Sequence, residues 1–228
     1  MIKQKLQDNY LSDFTRYLIE HKTGVDGRIP ALTELSKELG ISVTSLREQM
    51  EAARELGLVE ARPRTGIRRL PYSFFPAANQ SLAYALRLDP RHFLDFADLR
   101  KRLEASYWDQ AVRALTPQDH TELRALVQQA WEKLRGQPVR IPHEEHRRLH
   151  LGIFRRLENP FVLGLLEAYW EAYEAVGLSV FADYEYLHQV WTYHQQMVEA
   201  ICAGDFQQGY QVLVAHTELI RRMPIPGS

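Results

Sequence analysis

The sequence predicts a mainly α chain in two parts: an N-terminal winged helix-turn-helix with a small β-hairpin wing, then a C-terminal all-α antiparallel helical bundle. Three observations lead there. Three short amphipathic segments, separated by glycines, precede an arginine-rich stretch with hairpin character. From about residue 93 onward the pattern is almost wholly helical, broken only by short Pro and Gly punctuation. The length, 228 residues, suits two modest domains, and 45% hydrophobic with 25% charged residues is ordinary globular usage.

The first helix is marked by Leu6, Tyr10, Phe14, Tyr17 and Leu18, which recur every three to four residues; Gly24 and Gly27 end it and Pro30 follows. A second helix over Leu32 to Leu39 presents Leu32, Leu35 and Leu39 on one face and stops at Gly40, as a left-handed C-terminal glycine should. Ser42 then caps a third helix with Leu46, Met50 and Ala53 inward, and Gly57 closes it. The stretch from Leu58 to Leu70 alternates like two strands, with a turn near Gly66. The break at Gly40–Ser42 is the turn of a helix-turn-helix, so the third helix is the one expected to enter a DNA major groove.

Charge supports that assignment. The net charge of −1 excludes wholesale coating of a polyanion, but residues 1–71 carry 12 basic and 10 acidic side chains, and the remainder is negative. Four arginines (Arg62, Arg64, Arg68, Arg69) and no acid occupy residues 61–71, a hairpin fitted to phosphates or a minor groove. The competing reading is a solvated surface hairpin. Residues 72–91 read as a connector holding Pro76 and Pro90, with a short helix over Ser81–Leu88.

In the second part, Leu99, Leu103, Ala111, Val112 and Leu115 give one apolar stripe. Thr116-Pro117 opens the next helix, with Leu123, Leu126, Val127, Ala130 and Leu134 inward. Gly136–Pro138 breaks it. A helix from Pro142 to Arg156 follows, then Phe161–Tyr173, Tyr184–Ala203 and Phe206–Arg222, the last two separated by Gly204-Asp205. Short connections predict antiparallel neighbours. There is no run of about 18 apolar residues for a membrane span, and the N-terminus lacks the apolar core of a signal peptide. Cys202, the single cysteine, excludes an intramolecular disulfide framework; a cytoplasmic protein with no membrane partner is expected.

Nine histidines stand out. His146 and His150 are four apart on one helix and share a face. His194 and His216 lie on the two last helices, 22 residues apart across the Gly204-Asp205 turn, so an antiparallel pair can return them to one height. Facing helices of bundles build metal sites in this way, and imidazole suits Zn, Ni, Cu and Fe. Spacing alone leaves two readings open, a metal site and satisfied polar packing. His21, His92, His120, His143 and His188 read as ordinary polar residues. An enzyme is not expected: His143 and His146 are three apart rather than at the HExxH spacing, and GxSxG, P-loop and GxGxxG patterns do not occur. A metallohydrolase or a metal-binding helical protein without DNA function remain the alternatives.

Residues Pro30–Glu48, then Leu56–Glu60 and Gly66, resemble the winged helix of GntR-family transcriptional regulators. Leu99–Glu104, Leu149-His150 with Asn159-Pro160 nine residues on, and His194–Ala200 with Gly204-Asp205 and His216 resemble the FCD ligand-binding domain of the FadR subgroup. The resemblance implies a winged-helix domain over residues 1–71, a connector over 72–91, and an FCD-type effector, metal-binding and dimerisation domain over 92–228. It implies a homodimer reading a palindromic double-stranded operator, a small organic acid effector, and a divalent metal ion held by His146, His150, His194 and His216. By position, Arg47 is the recognition-helix arginine, with Ser42, Thr44 and Ser45 near it, and Arg62, Arg64, Thr65 and Gly66 form the DNA-facing wing. Arg100 would face the effector, although an ion pair with Glu104 also fits; Tyr107 and Trp108 would wall or narrow the pocket.

Three places depart from the family pattern. Val43 stands where arginine is common, and Tyr107-Trp108 where small residues are usual. His146 stands where the first metal ligand is usually aspartate. Four neutral imidazoles leave a divalent ion at about +2 rather than about +1, which favours an anionic remaining ligand and softer ions, Zn or Ni foremost.

Overall fold

The computed structural model describes residues 10–21, 27–62, 66–175 and 183–219. The chain divides into two compact units, Met1–Ala77 and Ala78–Ser228. Both architectures read from the sequence are present: a helical unit with a small three-stranded sheet, and a bundle of helices.

In the first unit, α1 spans Asp13–Glu20, β1 Arg28–Ile29, α2 Leu32–Leu39, α3 Val43–Glu55, β2 Val59–Arg62 and β3 Gly66–Arg69. Helix α1 starts later than its apolar spacing predicts. The Ser12 hydroxyl accepts the Thr15 N–H and fixes the first turn there. Tyr10 lies ahead of the helix and is exposed, while Phe14, Tyr17 and Leu18 are buried; Leu6 and Gly24 fall outside the described residues. Helices α2 and α3 match their predicted bounds. Gly40 takes the left-handed conformation at φ 67°, and Ser42 caps α3 through the Ser45 N–H. Leu35, Leu46, Met50, Ala53, Val59 and Ile29 close one core with the α1 side chains.

The sheet order is β1-β3-β2, antiparallel throughout, with Val59 opposite Arg69 and Arg62 opposite Gly66. Strand β1 is an addition to the predicted hairpin. Two residues are too short for any periodicity to reveal. Residues 63–65, and with them Arg64 and Thr65, lie outside the described residues.

Helix α4 spans Phe75–Leu88, beginning well before the predicted Ser81. Pro76 sits in its first turn, where a missing N–H costs nothing, and the Ser73 hydroxyl accepts the Phe75 N–H. The bundle follows as α5 His92–Arg113, α6 Pro117–Arg135, α7 His143–Phe154, α8 Pro160–Ala175, α9 Tyr184–Ala203 and α10 Phe206–Thr217. Helix α6 carries the cleanest signature. Thr116 and Asp119 form a reciprocal capping box, and Leu123, Leu126, Val127, Ala130 and Leu134 are all buried as predicted. Helix α10 ends at Thr217, short of the predicted Arg222, which lies outside the described residues.

Helix α5 departs most from its sequence reading. The predicted stripe begins at Leu99, yet Leu99 is 43% exposed. The buried face is Phe93, Ala97, Arg100, Glu104, Trp108, Ala111 and Val112. Ala111 and Val112 of the predicted stripe belong to this face, and Leu103 and Leu115 pack partly buried against the core, so Leu99 is the misplaced member: the inward positions beside it, Arg100 and Glu104, are charged and give no apolar signal.

Close packing between α5 and α10 rests on Gly209. A Cβ there would meet Trp108 Cζ2 at 2.7 Å, and the Trp108 ring is fixed by its indole N–H donating to the Phe206 carbonyl at 2.8 Å. Gly209→Ala is expected to destabilise the chain by about 1–3 kcal/mol through overpacking, read as a lower urea midpoint at unchanged m-value. A midpoint equal to that of the unsubstituted protein would show that the α5–α10 seam has slack.

Candidate metal centre

The four predicted histidines meet in the core of the bundle. Helix α7 contributes His146 and His150 one turn apart, α9 contributes His194 and α10 contributes His216. The turn at Gly204-Asp205 explains the last two. Gly204 adopts φ 78°, Asp205 caps α10 through the Gln208 N–H, and the two helices fold back on each other. His194 lies ten residues before Gly204 and His216 eleven after Asp205, so both fall at one height.

One ligand atom from each of the four can be chosen so that all lie within 4.8 Å of one another. His150 Nε2 is 3.0 Å from His194 Nε2, which is 3.2 Å from His216 Nε2. Donors bound to one ion at ~2.1 Å stand about 3.0–3.4 Å apart at right or tetrahedral angles, so these two edges already have ligand spacing. His150, His194 and His216 are buried, and His146 is partly so, with its Nε2 shielded and without a hydrogen-bond partner.

Electrostatics keeps the rings neutral, the form that ligates. Burial pushes all four imidazoles well below the usual histidine range, and the Arg100 guanidinium adds to it at each one. The donor set, its spacing and the orphaned His146 nitrogen fit a divalent ion of the borderline-soft kind.

The walls are aromatic. Trp170 stands edge-on to His146 at 4.6 Å between ring centroids and 4.8 Å from His150; Tyr173 and Trp191 also flank His146. The sequence reading did not single these residues out. Trp170 and Tyr173 lie three apart on one face of α8, so by spacing they read as core. Beneath the quartet, Arg100 and Glu104 form a fully enclosed ion pair, with Nη2 to Oε2 at 2.9 Å. Arg100 also reaches His150 Nδ1 at 2.8 Å and stacks over the Tyr169 and Trp170 rings. Tyr107 and Trp108 lie further along α5. Tyr107 takes a hydrogen bond from Asn159 at 3.2 Å, and Trp108 is core against Gly209.

In the first unit, Ser42, Thr44 and Arg47 are exposed along the start of α3. The Ser42 hydroxyl is engaged as the helix cap. Ser45 is half-buried and its hydroxyl accepts from Gln49, whose own carbonyl takes the Phe14 N–H. Arg62 is exposed and pairs with Glu60 at 2.9 Å, and Gly66 has φ 80° with open space around it. Arg69, counted with the wing, donates to the Leu18 carbonyl at 2.8 Å and ties the sheet to α1. Arg28 and Arg68 are cross-strand neighbours, both exposed.

The chain thus joins a helix-turn-helix unit with a basic sheet to a helical bundle enclosing a polar site, the two-part architecture of a regulator. Comparison with known proteins gives the family. The FCD domain matches residues 95–219, more than half of the chain. The putative L-lactate dehydrogenase operon regulatory protein of Escherichia coli K12 is 26% identical over 96% of this chain and 86% of its own length, and its Shigella flexneri counterpart matches equally. The fold is shared with Streptococcus agalactiae GntR, at 17% identity and a TM-score of 0.67 over 91% of this chain and 94% of that one. It is shared with E. coli McbR/YncC at 18% identity and 0.51, covering 92% and 94%. The chain belongs to the FCD-domain branch of the GntR-family transcriptional regulators. No helix among the described residues is long and apolar enough to cross a membrane.

Neutral burial of four imidazoles makes the stability of the metal-free protein pH-dependent. The unfolded chain takes up protons below about pH 6.5 while the folded quartet does not, so stability is full above that pH and falls below it. Each ring adds up to ~1.4 kcal/mol per pH unit. Urea midpoints of chelator-treated protein are therefore expected to drop steeply from pH 7.5 to pH 5. A flat profile would mean that the rings are not held neutral.

Proposed function

We propose that this chain is a dimeric, metal-containing, effector-responsive regulator. Residues 1–71 bind a palindromic double-stranded operator, 72–91 connect, and 92–228 hold the effector and the metal and form the dimer. The supporting observation is the convergence of His146, His150, His194 and His216 into one neutral, enclosed donor set with a guanidinium at its floor. Zn or Ni is the ion that four imidazoles select. The site would then present net positive charge, from the ion and from Arg100, to a small organic anion. One relative is named for an operon of L-lactate dehydrogenase, and a 2-hydroxy acid belongs to that effector class. When bound, the ion supplies an electrophilic anchor for such a carboxylate. The chain's own residues enclose it: Trp170 and Tyr173 exclude water and Arg100 orients charge.

On DNA, Arg47 is the base-reading residue, with Ser42 and Thr44 at the backbone or base edges and Ser45 held beneath them. Arg62, Arg64, Thr65 and Gly66 form the approaching wing, and Val43 leaves one contact of the family pattern unmade. The effector acts by binding the two arrangements of the dimer with different affinity, since equal affinity would shift nothing.

Arg47→Ala is expected to lower operator discrimination by about 1–3 kcal/mol, measured as the ratio of specific to non-specific affinity at fixed salt. An unchanged footprint would remove Arg47 from the recognition role. A gel shift on the upstream region of the protein's own gene, with and without short carboxylates and after chelation, tests DNA, effector and metal together. His150→Ala and His194→Ala are expected to lose bound metal by mass spectrometry, and wild-type protein that takes up no Zn or Ni would overturn the metal reading.

A further inference from the structure

The three groups at the floor of the quartet cannot all keep their partners once His150 acts as a ligand. Arg100 Nη2 lies 2.8 Å from His150 Nδ1. Guanidinium nitrogens only donate, and Nη2 stands nearer Nδ1 than Nε2, which is at 3.4 Å, so His150 Nδ1 is the acceptor and the ring proton sits on Nε2. That proton points to His194 Nε2 at 3.0 Å. It occupies the lone pair that a metal would need.

Glu104 stands beside the same nitrogen. Its side chain is completely buried, and Oε1 lies 3.4 Å from His150 Nδ1. Neither carboxylate oxygen receives a well-directed hydrogen bond, although Oε2 is 2.9 Å from Arg100 Nη2. A buried carboxylate oxygen with unspent accepting capacity, next to an imidazole nitrogen that is itself accepting, is an arrangement with a second partner order available. By contrast, the Nδ1 atoms of His194 and His216 are buried with no partner.

Resting on the metal reading above, we infer that Glu104 is the positioning residue of His150, and that metal loading exchanges the His150 partner from Arg100 to Glu104. The exchange is neutral in protons. The imidazole proton moves from Nε2 to Nδ1, the Nε2 lone pair turns to the ion, and Arg100 keeps its charge. Nδ1–H then faces a donor in Arg100 and an acceptor in Glu104, so the ring is held by the carboxylate. The Nη2–H that pointed at the ring is released, while Nη2 stays paired with Glu104 Oε2. A carboxylate behind a ligating histidine fixes its tautomer and raises its basicity, and losing such a partner typically weakens metal binding 10–100-fold. Arg100 thereby has two partner sets, one per metal state, and an anion that takes the released N–H binds in linkage with the ion.

The test uses the full-length chain and Zn²⁺ alone. Long-range ¹H–¹⁵N correlation spectra, with His150 assigned through a His150→Gln control, report which ring nitrogen carries the proton. The expected result is Nε2–H in chelated protein and Nδ1–H after Zn²⁺ addition, with Glu104→Gln weakening Zn²⁺ affinity 10–100-fold in chelator competition. A merely structural role for Glu104 would lower thermal stability without moving the tautomer. His150 keeping its proton on one nitrogen in both states, or Glu104→Gln binding Zn²⁺ like wild type, would overturn the inference while leaving the metal site standing. Wild type binding no Zn²⁺ would overturn both. If Glu104→Gln fails to fold, the wild-type spectra decide alone.

Discussion

The bundle is organised around a buried ion pair that has nowhere else to go. Arg100 and Glu104 sit on the inward face of α5, almost completely shielded from water. Removing two charges from solvent is expensive, and their mutual attraction repays it only when geometry and further partners are good. Here the further partners are the Tyr169 and Trp170 ring faces and the edge of His150. Those contacts draw α7 and α8 against α5. The pair therefore sets where the polar pocket lies, and the histidines from α7, α9 and α10 complete it.

The same constraint explains why the quartet is neutral and aromatic-walled. Four imidazoles next to a fixed guanidinium cannot charge together, and burial pushes each further toward its neutral form. Indole and phenol rings exclude water from the site without offering competing charge. The surrounding core of Trp108, Leu123, Ile153, Phe154, Trp191 and Met197 supplies the rigidity that keeps nitrogen atoms 3 Å apart. His146 belongs to the same economy of charge: among the described residues the carboxylate beside the quartet is Glu104, behind His150 rather than between the four rings.

The winged-helix unit follows a different logic, in which the charged residues stay in solvent around a small apolar core. Its core is small and fixed by Phe14, Leu35, Leu46 and Val59, while Thr44, Arg47, Arg62 and Arg68 remain in solvent. One arginine of the basic stretch, Arg69, is spent internally on the Leu18 carbonyl, which anchors the sheet. Charge counting along the chain could not separate that anchor from its neighbours, because the difference lies in the contact that the Arg69 guanidinium makes with α1.

By itself, the sequence determined the helix-turn-helix bounds, the α6 stripe and the histidine pairing. Two of these are local signals, Gly40 and Ser42 as stop and cap and Thr116 with Asp119 as a capping box; the third is the near-symmetric placement of His194 and His216 about the two-residue turn at Gly204-Asp205. The tertiary structure alone decided the rest. It turned Arg100 and Glu104 of α5 inward and left Leu99 outside, brought Trp170, Tyr173 and Trp191 against His146, added β1 to the wing, and set Glu104 behind His150. Those outcomes depend on which surfaces meet between elements distant in the chain, and buried charge is stable only when its partners arrive from other helices, which no local pattern encodes.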